Sequence, residues 1–211
     1  MINSSEKVTS GKVYVASMNL RGKWAAKPPG AICLNVTSAQ RKTSRERIDF
    51  SPMHPNGYKG FLNFEHYWQQ GKVWDGIPRC ESVKWWKEQT KPKRRFLKGK
   101  GRRVLYAIFE DITGEEELDY VTSRKRVYVP KYAEYISNTE SLRKWENIVK
   151  SGQDVVVYDF DGVRKPSGDV DVKEVTVELL ENKINDMKFP FGHSFIIASM
   201  LSGIKIDEFT E

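Results

Sequence analysis

The sequence predicts an α+β fold: one compact domain over residues 1–211, with mixed helices around a small sheet and a basic decoration inserted at 75–135. Three observations carry this. Hydrophobic residues make up 39% and aromatic residues 12% of the 211, including six Trp, nine Tyr and ten Phe, enough apolar surface to offset the ordering entropy of a domain this long. Segments with β character do not alternate with helices of about ten or more residues, which argues against a doubly wound parallel sheet. No repeat, low-complexity tract or Pro/Ser-rich linker divides the chain.

The elements follow in order. Lys12–Leu20 is rich in β-branched and aromatic residues and reads as a strand, and the turn-forming AAKPPG at 25–30 precedes a second strand, AICLNVT. Residues 38–46 are polar and basic, a loop or short helix. Phe61–Val73 spaces Phe61, Phe64 and Tyr67 or Trp68 by three and four, the period of an amphipathic helix. Pro78 ends that region, and 81–89 is helical with the adjacent Trp85 and Trp86. Arg103–Glu110 (RVLYAIFE) reads as a strand and VYVP at 127–130 as a short one. Helical patterns PKYAEYI and SLRKWENIVKSG come next, the second stopped by Gly152. DVVVYDF at 154–160 is the most apolar strand, and its Val run predicts burial on both faces. Helices are expected over Val172–Ile184 and, after Pro190, over Ser194–Leu201, with Ser194 as N-cap.

Charge narrows the partners. Thirty-five Lys and Arg against 28 Asp and Glu leave a formal net charge of +7, which favours anionic partners without specifying the fold. The stretch KPKRRFLKGKGRR at 91–103 concentrates the positive charge. It is either a solvated loop, neutralised by the acidic GEEELD at 114–119, or a phosphate-contacting arm in which Lys93, Arg94 and Arg95 meet nucleic acid. No apolar run reaches the roughly 18 residues of a membrane span. The N-terminus lacks a signal-peptide pattern, and two cysteines cannot build a disulfide framework, so a reducing, cytoplasmic location is expected. The Asn-x-Ser/Thr triplets at Asn3 and Asn35 are then chance matches. His54, His66 and His193 lack ligand spacing with Cys33 and Cys80, so neither metal nor cofactor is expected.

Three constellations could carry chemistry. Asp159-Phe160-Asp161-Gly162 has the D-x-D-G order of haloacid-dehalogenase-type hydrolases. The roughly fifty residues after it leave little room for the rest of such a site, so it reads as a turn after a strand. Gly192-His193-Ser194 opens an apolar helix, where free N–H groups favour phosphate. Glu65, with His66 and Gln69, sits on a helix otherwise loaded with aromatics, where a pocket floor would place an acid beside ring-stacking surfaces.

The run Asp49-Phe50-Ser51, followed by Glu65-His66-Tyr67-Trp68-Gln69 and Lys72, resembles the D-F-S-N-F … S-E-H-Y-F-Q-x-x-K signature of the NADAR domains, the YbiA-like N-glycosidases. Pro52 stands where the signature has Asn, and Phe64 where it has Ser. Leu142-Arg143-Lys144-Trp145-Glu146 with Lys150 is similar to the family's R-x-x-W-E-x-V-K helix, and Asn185-Asp186 before Phe189–Gly192 to its N-D-x-x-W-G segment. The resemblance implies hydrolysis of the N-glycosidic bond of a phosphorylated riboside, an NAD- or ADP-ribose-type molecule, or ADP-ribosylated nucleic acid. It implies Glu65 as the essential carboxylate, Trp145 stacking on the base and Asp186 as second acid. Arg45, Arg47, His66, Trp68, Gln69, Lys72, Gly192 and His193 are the matching candidates for substrate binding. The competing expectation is a non-catalytic protein that binds nucleotide or nucleic acid through its basic arm.

Overall fold

The computed structural model describes residues 10–211; Asn3 and the N-terminal segment read above for a signal peptide lie outside them. In chain order the elements are β1 (Val13–Ser17), β2 (Ile32–Asn35), α1 (Arg45–Phe50), α2 (Phe64–Gln70), β3 (Lys72–Trp74), α3 (Arg79–Lys87), β4 (Val104–Ala107), α4 (Glu110–Thr113) and α5 (Tyr120–Ser123). A π-helical turn, Arg124–Tyr128, then runs into α6 (Val129–Ile136), followed by α7 (Glu140–Lys150), β5 (Val155–Asp159), β6 (Val172–Glu174), α8 (Val177–Ile184), α9 (His193–Ser202) and α10 (Asp207–Thr210). No helix among the described residues is long and apolar enough to cross a membrane. The mixture of helix and strand is the α+β composition read from the sequence.

The main sheet has the order β2-β5-β1-β6. β5 runs parallel to both β1 and β2, with Ser17 opposite Asp159 and Asn35 opposite Tyr158, while β6 is an antiparallel edge strand on β1. Because side chains alternate across a strand, β5 feeds two cores. Val155 and Val157 join the large core, and Val156 and Tyr158 join a smaller one with Ala16, Met18, Ala25, Ala31 and Val170. All five β5 residues are therefore buried, as the Val run requires. Burial of each valine side chain is worth about 1.5–3 kcal/mol. Helix α9, apolar on every side, crosses β1 and β5 and is covered in turn by α6 and α7.

Four local expectations are corrected. Residues 127–130 are helical: Val127 and Tyr128 close the π-helical turn, and Pro130 falls in the first turn of α6, where proline is tolerated. Val172–Glu174, expected as the start of a helix, instead pairs with β1 as β6, and Thr176 caps the helix that follows. Helix α9 is capped by Gly192 rather than Ser194, which lies fully buried inside it. The long helix expected over 61–73 is shorter: Asn63 caps α2 by accepting the His66 N–H at 2.8 Å, and Lys72–Trp74 leaves the helix to form a hairpin-like pair with β4.

The basic stretch 91–103 lies in the decorated middle of the chain and is pinned at three points. The Lys93 N–H donates to His66 Nε2 at 2.9 Å. Phe96 is buried against Trp85 and Trp74. At Gly99 a Cβ would stand 2.8 Å from the Trp74 ring, so only glycine lets the backbone pass. Burial holds the His66 imidazole below its ordinary pKa, which keeps it neutral and able to accept.

Candidate active site

The parallel strands β1, β2 and β5 all end on one edge of the sheet, and open α/β sheets place ligands outside that edge. A cavity of about 260 Å³ opens there. Its wall combines Glu65 from α2, Arg94 from the basic stretch, Tyr128 from the π-helical turn, Asp159 and Asp161 from the end of β5, and Gly192 and His193 from the start of α9. Ser38, Pro52, Met53, Phe160, Pro190 and Phe191 complete it.

The local sequence dictates this convergence. Asp159 is the last residue of β5, and its Oδ1 accepts the Phe160 N–H at 2.8 Å, turning the chain sharply. Gly162 then lies so close to β1 that a Cβ would be 2.2 Å from the Ala16 carbonyl oxygen. Gly192 meets the same turn from the other side: a Cβ there would stand 2.8 Å from Asp161 Cβ and 3.2 Å from Asp159 Oδ2. Two glycines thus allow a strand end and a helix start to touch. The positive end of the α9 dipole faces the two carboxylates and favours them.

The acids occupy different environments. Burial, reinforced by the neighbouring charge of Asp159, raises the Asp161 pKa despite the opposing pull of His193 and Arg164. Glu65 is held by Gln69, whose Nε2 donates to Oε1 at 2.7 Å. Tyr128 is buried among Glu65, Asp159 and Asp161, and desolvation together with those charges keeps its phenol neutral. His193 Nε2 lies 2.9 Å from the Val36 carbonyl oxygen, which can only accept, so Nε2 carries a proton. Its Nδ1 faces Asp159 Oδ2 at 3.3 Å without hydrogen-bond alignment. The cavity therefore sets Asp161, shifted toward its protonated form, in one wall with Glu65.

Of the residues put forward from the sequence for catalysis or binding, Glu65, Arg94, Gly192 and His193 line this cavity. Trp145 does not: it is buried on α7 and its Nε1 donates to Glu46 at 3.4 Å. Asp186 also stays outside, accepting the N–H groups of Lys188 and Phe189 and pairing with Lys183 at 3.0 Å. Burial alone would raise its pKa, but these partners together lower it, so Asp186 is an ionised loop cap. Arg45 pairs with Asp49 and Glu140, and Arg47 donates to the Gln40 carbonyl at 2.7 Å. Trp68 stacks on Phe109 and His66 anchors the basic stretch. Gln69 and Lys72 line a second cavity described below.

The two acids absent from the sequence-derived site are Asp159 and Asp161. Their signal was legible as a D-x-D-G turn after the most apolar strand. Its pairing with Glu65, about a hundred residues earlier, is a tertiary fact. No family model, curated protein or solved structure matches the chain.

Proposed function

We propose that the protein is an N-glycosidase that hydrolyses the C–N bond between a ribose and its base in a phosphorylated riboside, an NAD- or ADP-ribose-type molecule, or ADP-ribosylated nucleic acid. The observation that carries this reading is the convergence of Glu65, Asp159, Asp161 and His193 on one cavity, with Asp161 shifted toward its protonated form. Two carboxylates with divergent environments divide acid and base work between them. As the C–N bond breaks, its electron pair leaves with the base nitrogen; a purine or pyrimidine leaving group takes a proton from Asp161, whereas a cationic nicotinamide leaves neutral without one. Positive charge develops at the anomeric carbon and is stabilised by Glu65. Water then adds to that carbon and gives its proton to Glu65, so the products are the free base and a ribose hydroxyl. Asp159 fixes the turn that carries Asp161 by accepting the Phe160 N–H at 2.8 Å. The resemblance of the Glu65-to-Lys72 run to NADAR signatures supports the same chemistry.

The test is release of free base or free ADP-ribose from NAD, ADP-ribose, ribosylated pyrimidine phosphates and guanine-ADP-ribosylated oligonucleotides. Glu65→Gln should keep the fold and lose about three orders of magnitude in turnover, roughly 4 kcal/mol of transition-state stabilisation. Equal turnover by both proteins would remove Glu65 from the mechanism. A second reading, binding of nucleic acid without catalysis, is favoured by one observation: among the described residues Lys93, Arg94 and Arg95 have no carboxylate partner within ion-pair distance, while Glu116 pairs with Arg126 and Asp119 caps α5. The acidic 114–119 segment is thus committed elsewhere. Strand binding with no base release from any of these substrates would select that reading.

A further inference from the structure

A second cavity, of about 500 Å³, opens beside the acidic one. Its wall includes Lys72, Arg94, Arg95 and Lys100, together with Gln69 and Trp74, and none of its lining residues is acidic. The two cavities share part of a wall. Arg94 lines both, and Gln69, whose amide holds Glu65 at 2.7 Å, forms part of the basic wall. None of the four cations has a carboxylate within ion-pair distance among the described residues, and Lys72 is half-buried. Burial disfavours the charge on Lys72 while Glu65 supports it, and Arg94, Arg95 and Lys100, on a wall without an acidic residue, draw anions from solution. A ligand that supplies several phosphates displaces those ions and gains affinity that salt erodes.

The site is also preformed. The Lys93 N–H bond to His66 and the burial of Phe96 fix the stretch that carries Arg94, Arg95 and Lys100, so much of the ordering cost of binding is met on folding. Arg offers paired N–H donors matched to phosphate oxygens, and the volume lies within the usual range of ligand pockets. Four cations exceed what a single phosphate needs.

We propose that this basic cavity binds a phosphate chain, of diphosphate length or longer, covalently continuous with the riboside in the acidic cavity. The inference rests on the N-glycosidase reading for the riboside end and names its substrate class: a riboside extended by a pyrophosphate or by a nucleic-acid backbone, rather than a simple nucleoside.

The experiment is calorimetric titration at low and moderate salt of the wild-type chain, Glu65→Gln, and the double variant Arg95→Glu with Lys100→Glu, whose altered residues line only the basic cavity. The probes are inorganic pyrophosphate, ADP-ribose, a short single-stranded DNA, and adenosine as the phosphate-free control. Thermal melts confirm that each variant is folded. The double variant should weaken pyrophosphate and ADP-ribose by about tenfold or more, a factor that corresponds to about 1.4 kcal/mol. On DNA it should reduce the log-log salt slope by about 1.4, at about 0.7 per phosphate contact. A wild-type salt slope on DNA no steeper than that on ADP-ribose assigns the chain to a dinucleotide-type substrate, and a steeper one to a nucleic-acid strand. Equal binding by wild type and double variant, or adenosine bound as tightly as ADP-ribose, overturns the proposal. Pyrophosphate binding needs no turnover, so the two readings fail separately. Charge-dependent binding by Glu65→Gln without any base release by wild type removes only the glycosidase. Base release without charge-dependent pyrophosphate binding removes only the phosphate site.

Discussion

Replacing Gly192 by Ala tests whether the contact between the β5 turn and the α9 start organises the acids. The added Cβ would lie 2.8 Å from Asp161 Cβ and 3.2 Å from Asp159 Oδ2, so Asp161 must move by about 0.6 Å to reach the 3.4 Å at which ordinary contact begins. Neither neighbour is the free end of a long side chain, and Asp159 is buried. Overpacking of this kind costs about 1–3 kcal/mol. For a chain of this length that is a fall of roughly 2–12 °C in melting temperature. If the proposed chemistry holds, displacing these acids by a sizeable fraction of an ångström should also lower kcat by about ten- to a hundredfold, given that a 1 Å misplacement can cost about a hundredfold. The control sits at the other end of the same helix. Gly203 has φ +77° and nothing within 4 Å of a built Cβ, so Gly203→Ala should cost about 1–2 kcal/mol of backbone strain and leave kcat unchanged. Thermal unfolding followed by circular dichroism and the base-release assay read both quantities. Gly192→Ala matching wild type in melting temperature and turnover would refute the argument that this glycine sets the carboxylates.

Two further substitutions should change stability with opposite dependence on pH. The folded pKa of Asp161 is raised by burial and by Asp159, so its contribution is fully present below the unfolded value of about 3.9 and is lost as pH rises through the folded value. Asp161→Asn should therefore melt higher than wild type at pH 7, with the gap closing toward pH 4, while turnover falls; a gap independent of pH would discard the raised acid. The folded pKa of His66 is lowered by burial, so its contribution is present above the unfolded value of about 6.5 and is lost as pH falls through the folded value. His66→Leu leaves the Lys93 N–H without its acceptor, and should cost about 1–3 kcal/mol at pH 7.5, with the difference from wild type shrinking toward pH 5. A constant difference across that range would mean that His66 does not hold the basic stretch as a neutral acceptor.

The sequence by itself determined which segments would be buried and which would punctuate them. The Val155–Val157 run announced a strand covered on both sides, and Phe61 to Trp68 announced an aromatic core helix, because side-chain period and hydrophobicity act locally. It misjudged segments whose state depends on a distant partner. Val172–Glu174 is a strand because β1 offers an open edge, and Lys72–Trp74 leaves its helix because β4 pairs with it. The candidate site divides in the same way. Glu65, Gly192 and His193 stood out from motif and chemistry, and the basic stretch from its charge. Tertiary structure decided that Asp159 and Asp161, which read as an ordinary turn, stand with Glu65, and that Asp186 and Trp145 serve a loop cap and a packed helix instead. Proximity across about a hundred residues comes from strand order and from two glycines that let backbones approach, and neither quantity is encoded within the window of any one motif.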